Sequence, residues 1–284
     1  MRKFVLTVVV ICAMSQLAPA GQELGRAASN EPVKFAVIGD TGTGDQTQYE
    51  VGRQMAVARQ RFPFELVLML GDNLYGSQQP QDFVDKFERP YATLLNAGVL
   101  FFASLGNHDK PANRYYKPFN MGGERYYSYA RQQVRFVVLD TNAMDDAQVR
   151  WADAVLSASR EPWKICYFHH PLYSDAGRHG SNVQLRVLLE PLLVRSGVTV
   201  VFSGHDHAYE RVKPQKGITY FVEGAGGQLR RGDLDRAAPT LAAGFDEDQT
   251  FMLVEVAGDR LTFQTISRTG KVVDSGTIPR RPAT

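Results

Sequence analysis

Five short segments of this 284-residue chain end in residues able to hold cations. They read Ala36-Val-Ile-Gly-Asp40, Leu68-Met-Leu-Gly-Asp72-Asn73, Ser104-Leu-Gly-Asn107-His108-Asp109, Tyr167-Phe-His169-His170-Pro171 and Phe202-Ser-Gly-His205-Asp206-His207. In each, an apolar run leads into Asp, Asn or His. In four of them a glycine comes just before, where it allows a sharp turn or a close backbone approach. Any one segment is ordinary, since a Gly-Asp after a strand is usually a turn and an Asn often closes a loop. Together they are not. The chain has six histidines (108, 169, 170, 179, 205 and 207); five fall in these segments, and His179 lies ten residues past His169. His205 and His207, two apart on an extended segment, share one side of it. Asp40, Asp72, Asn107, His169, His205 and His207 offer oxygen and nitrogen donors and no thiolate. Such a set is too large for one tetrahedral ion and suits two divalent or trivalent ions sharing a carboxylate. A pair of ions about 3.5–4 Å apart is machinery for in-line displacement at phosphorus.

Placing these groups together requires a scaffold, and the remaining pattern supplies one. Apolar runs recur at Val33–Ile38, Glu65–Leu70, Val99–Leu105, Val134–Leu139, Trp163–Phe168 and Val198–Phe202. Several are near-continuous, as in strands buried on both faces. Between them helices are expected over Gln46–Arg61, Gln81–Asn96 (interrupted by Pro90), Asp145–Ser159 and Asn182–Ser196. Beyond residue 217 the texture turns strand-rich, with Ile218–Glu223, Phe251–Val256 and Arg260–Ser267. Strand–helix alternation argues for an α/β core. The motif-bearing strands are expected to point their carboxyl ends at one sheet edge, where α/β sheets bind ligands, with the last strands completing a second sheet packed on the first. The expected class is therefore α/β, of the four-layer type: two packed mixed β-sheets flanked by helices.

Composition narrows the function classes. With 44% hydrophobic and 22% charged residues, 25 Gly and 14 Pro, the chain is not disordered, collagen-like or a coiled coil. Residues 1–20 read as a secretory signal peptide: Arg2 and Lys3, an apolar stretch from Phe4 to Met14, and small Ala18 and Ala20 at a cleavage site. The apolar stretch is shorter than the roughly 20 residues of a membrane span. Residues 21–32 read as a flexible segment and 33–284 as a single domain. Removing the leader takes two of the 32 basic residues and none of the 30 acidic ones, leaving net zero. That balance speaks against a nucleic-acid binder, which needs a basic surplus. No stable membrane insertion is expected after cleavage. Cys166 then remains alone, inside an apolar run, as a buried inert thiol with no disulfide partner. The sequence does not specify an oligomeric state.

The series Gly39-Asp40, Gly71-Asp72-Asn73, Gly106-Asn107-His108-Asp109, His169 and Gly204-His205-Asp206-His207 resembles the signature of the calcineurin-like metallophosphoesterases, in order and spacing, over residues 33 to about 212. Gly71-Asp72-Asn73-Leu74-Tyr75 has the Gly-Asp-x-x-Tyr form of purple acid phosphatases, and Ile218–Gly227 is also similar to those enzymes. The chain is most similar to their small one-domain type; one departure is Cys166, where valine is usual.

The resemblance implies that Asp40, Tyr75 and His207 bind a first metal, Asn107, His169 and His205 a second, and that Asp72 bridges them. It implies Fe(III) paired with Fe(II), Zn(II) or Mn(II), and a tyrosinate at Tyr75. The implied reaction is hydrolysis of a small phosphate monoester by hydroxide formed at the metals, in line with the leaving group. His108 and His179 are the candidate proton donors, and His170, in a variable place of the motif, orients a neighbour or faces the cleft. The alternatives are a phosphodiesterase of the same fold and, outside catalysis, a metal- or phosphate-binding protein.

Overall fold

The computed structural model describes residues 31–281, so the leader read over 1–20 and most of the segment 21–32 lie outside the described residues. In chain order the strands are β1 (Val33–Ile38), β2 (Leu66–Met69), β3 (Leu100–Ala103), β4 (Tyr127–Arg131), β5 (Val134–Val138), β6 (Trp163–Tyr167), β7 (Val200–Ser203), β8 (Tyr209–Val212), β9 (Thr219–Glu223), β10 (Leu241–Phe245), β11 (Thr250–Ala257), β12 (Arg260–Ser267) and β13 (Val272–Pro279). They form two mixed sheets, one in the order β13-β12-β11-β1-β2-β3 and one in the order β10-β8-β9-β7-β6-β5-β4.

The near-continuous apolar runs are explained by burial on both faces. In β1, Phe35 and Val37 enter the core between the sheets, while Ala36 and Ile38 enter a second core outside. In β6, Ile165 and Tyr167 face inward, and Cys166 packs into a third core with Leu189 and Leu192. The Cys166 thiol is buried, and burial pushes its pKa up, in keeping with an inert role. The inner core interlocks the sheets edge-on: the Phe35 ring meets Phe136 at 5.4 Å and Phe202 at 6.2 Å.

Helices cover the outer faces. α1 (Gln46–Arg59) starts at Asp45, whose carboxylate accepts the Gln48 N–H at 3.0 Å. The run expected over 81–96 breaks into α2 (Pro80–Phe83), a π-helical turn at Val84–Glu88 and α3 (Ala92–Asn96). Pro90, which lacks an N–H, lies at the break. α4 (Asp146–Ala158) and α5 (Val183–Arg195) are capped by Asp145 and Asn182 and line the third core through Leu156 and Leu189. No helix among the described residues is long and apolar enough to cross a membrane.

The four-layer, two-sheet architecture is the expected one, but the membership of the sheets is not. The five motif strands do not share a sheet. β1, β2 and β3 run parallel in the first, and β6 and β7 run parallel in the second. The last strands extend the first sheet, because β11 pairs antiparallel with the free edge of β1, Val33 opposite Val256. Splitting the motif strands lets the inward aromatic rings of each sheet cover those of the other.

Candidate metal centre

The carboxyl ends of β1, β2 and β3 meet those of β6 and β7 across the sandwich, and the five motif segments converge there. Asp40, Asp72 and His205 each hold a left-handed backbone, with φ of 54°, 50° and 73°. For a non-glycine residue this costs on the order of 1–2 kcal/mol, and interlocked loops impose it. The Asp40 N–H donates to Gly71 O at 3.0 Å, and the Tyr75 N–H to Gly42 O at 2.9 Å. The His205 N–H donates to Asp40 Oδ2 and the His108 N–H to Asp72 Oδ1, both at 2.8 Å. Of the four motif glycines only Gly71 takes a positive φ (89°). Gly106 and Gly204 are needed for space: a Cβ there would collide with the carboxylates of Asp72 and Asp40 respectively.

Two sets of donor atoms result. In the first, the Tyr75 hydroxyl is 3.2 Å from Asp40 Oδ1 and 3.4 Å from His207 Nε2, which is itself 3.5 Å from Asp40 Oδ1. In the second, His169 Nε2 is 2.9 Å from Asn107 Oδ1, 3.1 Å from His205 Nδ1 and 3.5 Å from Asp72 Oδ1. Asp40, Asp72 and His169 have donor atoms within 4.8 Å of one another, which joins the sets. Ligands about 2.1 Å from one ion stand roughly 3.0–3.4 Å apart, so both sets have coordination spacing. The structure thus brings together all seven residues expected from the sequence to hold metal.

The electrostatics fit cations. Asp40 is pushed well up by burial and by neighbouring Asp72, and burial raises Asp72 too. Burial, with Asp40 and Asp72 alongside, also raises the Tyr75 phenol. Among the described residues only histidines stand within ion-pair distance of Asp40 and Asp72. Three imidazoles of the donor sets are pushed toward the neutral form: His169 by burial and then by His170, His205 down to about 2 by burial and then by His169, and His207 down to about 4 by burial and then by Arg230. A neutral imidazole offers a lone pair. For His169 the tautomer is fixed as well, because Nδ1 lies 2.9 Å from Leu70 O. A carbonyl only accepts, so Nδ1 carries the proton and Nε2 faces the centre bare. Buried carboxylates with no Lys or Arg beside them, ringed by nitrogen lone pairs, suit metal ions.

A family model described as Calcineurin-like phosphoesterase matches residues 33–209, more than half of the chain. The chain belongs to the calcineurin-like phosphoesterase family. Tartrate-resistant acid phosphatase type 5 of Homo sapiens is 27% identical over 88% of this chain and 91% of its own length. Purple acid phosphatase 17 of Arabidopsis thaliana is 26% identical over 80% and 78%. In fold, purple acid phosphatase PPD1 from yellow lupin (Lupinus luteus) seeds matches with a TM-score of 0.73 at 19% identity, over 90% of this chain and 55% of the lupin chain. The similarity to purple acid phosphatases read from Gly71–Tyr75 thus extends over most of the chain.

At the rim of this phosphoesterase centre stand the two histidines expected to move protons. His108, its side chain 54% exposed, has Nε2 4.0 Å from Asp72 Oδ2 and its ring 4.8 Å from that of Tyr75. His179 is exposed and its ring lies 4.3 Å from that of His205. Its loop is tied to residues 228–238 by the Gly177 N–H, which donates to Asp233 O at 2.7 Å, and by the Ala176–Leu234 bridge. On the same 228–238 segment, Arg230 donates its backbone N–H to His207 O at 2.9 Å. Arg114 serves its own loop, donating to Pro111 O and the Tyr115 hydroxyl.

Sequence reasoning missed three residues. Asp109, quoted within a motif but given no role, accepts the N–H groups of Asn73, Leu74 and Gly106 and so joins the second and third loops. β5 also ends in polar residues, Asp140-Thr141-Asn142. Asn142 Nδ2 donates to Leu105 O and Gly106 O at 3.2 and 3.1 Å, steadying the loop of Asn107, while Thr141 contacts His170. The available signal was the apolar run Val134–Leu139, which ends like the others but without glycine or histidine.

Proposed function

We propose that the chain is an exported phosphomonoesterase of the acid phosphatase type, with one catalytic domain over residues 33–284. In this reading Asp40, Tyr75 and His207 hold one ion, Asn107, His169 and His205 hold the other, and Asp72 lies between them. The observation that carries it is the pair of donor sets at coordination spacing around two buried carboxylates that, among the described residues, have no Lys or Arg within ion-pair distance. The names of the human and Arabidopsis relatives support an acid phosphatase, and the leader read from the sequence supports export. The phenol of Tyr75 beside Asp40 supports Fe(III) in the first place, partnered by Fe(II), Zn(II) or Mn(II).

When bound, two such ions make water acidic enough to attack near neutral pH and offset charge on the phosphoryl oxygens. The chain's own residues orient the substrate and handle the protons. The half-exposed imidazole of His108 stands over Asp72, where it gives a proton to the departing ester oxygen, a poor anion without one. His179, exposed and with its ring tilted against that of His205, shares that work.

The test is kinetics of the purified mature protein on p-nitrophenyl phosphate and its bis ester, with metal analysis alongside. A higher kcat/KM on the monoester is expected, as is a loss on the order of a hundred-fold in kcat for His108→Ala at unchanged metal content. Preference for the bis ester would overturn the monoester assignment. A fully metal-loaded protein inert on both would overturn the enzyme.

A further inference from the structure

His170 has no place in the two donor sets, yet it lies against them. Its ring packs 4.5 Å from that of His205 and 5.0 Å from that of His169, and one of its nitrogens lies within 4.8 Å of donor atoms of both. What holds it is Thr141, beyond the end of β5. The Thr141 hydroxyl oxygen accepts the His170 backbone N–H at 3.1 Å and stands 2.9 Å from its Nδ1.

A threonine hydroxyl has one proton and two lone pairs. The backbone N–H fills one lone pair, and among the described residues the hydroxyl meets no acceptor other than Nδ1. The arrangement that satisfies every group sends the hydroxyl proton to Nδ1, so that the ring proton sits on Nε2. His169 is fixed the opposite way, with its proton on Nδ1 toward Leu70 O. Two adjacent histidines are thus held as opposite tautomers. His169 keeps its lone pair on Nε2 and His170 its N–H there.

We propose that His170 is a substrate-contacting hydrogen-bond donor, locked by Thr141 as the Nε2–H tautomer, and that it binds a phosphoryl oxygen of the phosphate ester held at the centre. A protonated nitrogen is no metal ligand, which separates this role from that of His169. The inference rests on the phosphoesterase reading and gives the same site a fixed neutral donor in addition to its cations. Thr141 acts as a positioning residue.

The tautomer is read directly by long-range ¹H–¹⁵N spectra of the zinc-loaded, histidine-labelled protein. Expected are a protonated Nε2 on His170, loss of that bias in Thr141→Val, and its retention in Thr141→Ser. Calorimetry with inorganic phosphate is expected to show affinity falling roughly ten- to hundred-fold in His170→Ala, the range for a hydrogen bond to a charged group. KM should rise more than kcat falls, zinc content should stay unchanged, and His170→Gln, which keeps an N–H, should recover part of the affinity. Zinc bound to His170 Nε2, zinc lost from His170→Ala, or phosphate affinity unchanged in that variant would each overturn the proposal. Should His170→Ala not fold, His170→Gln and the Thr141 pair decide it. A wild-type protein that neither hydrolyses esters nor binds phosphate removes the phosphoesterase reading and this inference with it. A wild type that does both, matched by His170→Ala, removes this inference alone.

Discussion

Adding a single methyl group at Gly106 tests whether the centre depends on close packing of backbone against carboxylate. A Cβ at this position would lie 2.8 Å from Asp72 Cγ and closer still to Asp72 N and Oδ1. Ordinary carbon–carbon contact is about 3.5–4.0 Å, so the Asp72 carboxylate and the Asn107 loop must separate by roughly 1 Å. Misplacement on that scale costs on the order of a hundred-fold in rate, and overpacking costs about 1–3 kcal/mol in stability. Gly106→Ala is therefore expected to fold, to lose about a hundred-fold in kcat/KM on p-nitrophenyl phosphate and to retain less metal after dialysis. Gly98→Ala is the control: its φ is 75°, but a Cβ there meets nothing within 4 Å. It should lower stability by about 1–2 kcal/mol and leave turnover intact. The reasoning is refuted if Gly106→Ala keeps wild-type kcat/KM and metal content, or if Gly98→Ala loses activity to the same degree.

Chelation should abolish turnover and lower the melting midpoint, both restored by adding metal back, since an ion that binds only the folded chain stabilises it. An unchanged midpoint would show that the carboxylates need no cation. Tyr75→Phe should remove visible absorption from iron-loaded protein and leave ester hydrolysis in place; a persisting band would place the chromophore elsewhere. Burial pushes Glu210 up to about 7. Folding therefore takes up a proton between about pH 5 and 7, and stability falls as pH rises through that window, by up to about 3 kcal/mol. Urea unfolding of chelator-treated protein should show Glu210→Gln with a shallower decline than wild type, and equal slopes would sink the argument.

The donor set was legible because the seven donors follow the ends of only five apolar runs, so chain-local spacing carries the chemistry. Sheet membership was not legible. A strand buried on both faces reads the same in either sheet, and nothing in Val33–Ile38 marks the edge that takes β11. β4, β8, β10 and β13 escaped notice as short or polar-rich segments; β13 is an edge strand with much of its length open to solvent. Contacts made only in three dimensions were hidden too. Thr141 meets His170 across 29 residues, and the space required at Gly106 is set by a carboxylate on another strand.

The path of the chain through the two sheets fixes when the centre comes into being. Every donor has been synthesised once His207 leaves the ribosome, yet β1, which precedes Asp40, still lacks its neighbour on one side until residues 250–257 arrive. A nascent polypeptide stopped short of Thr250 would carry every donor on a first sheet that still lacks the strand beside β1. The carboxy-terminal strands contribute no ligand of their own, yet they complete the sheet from which Asp40 projects.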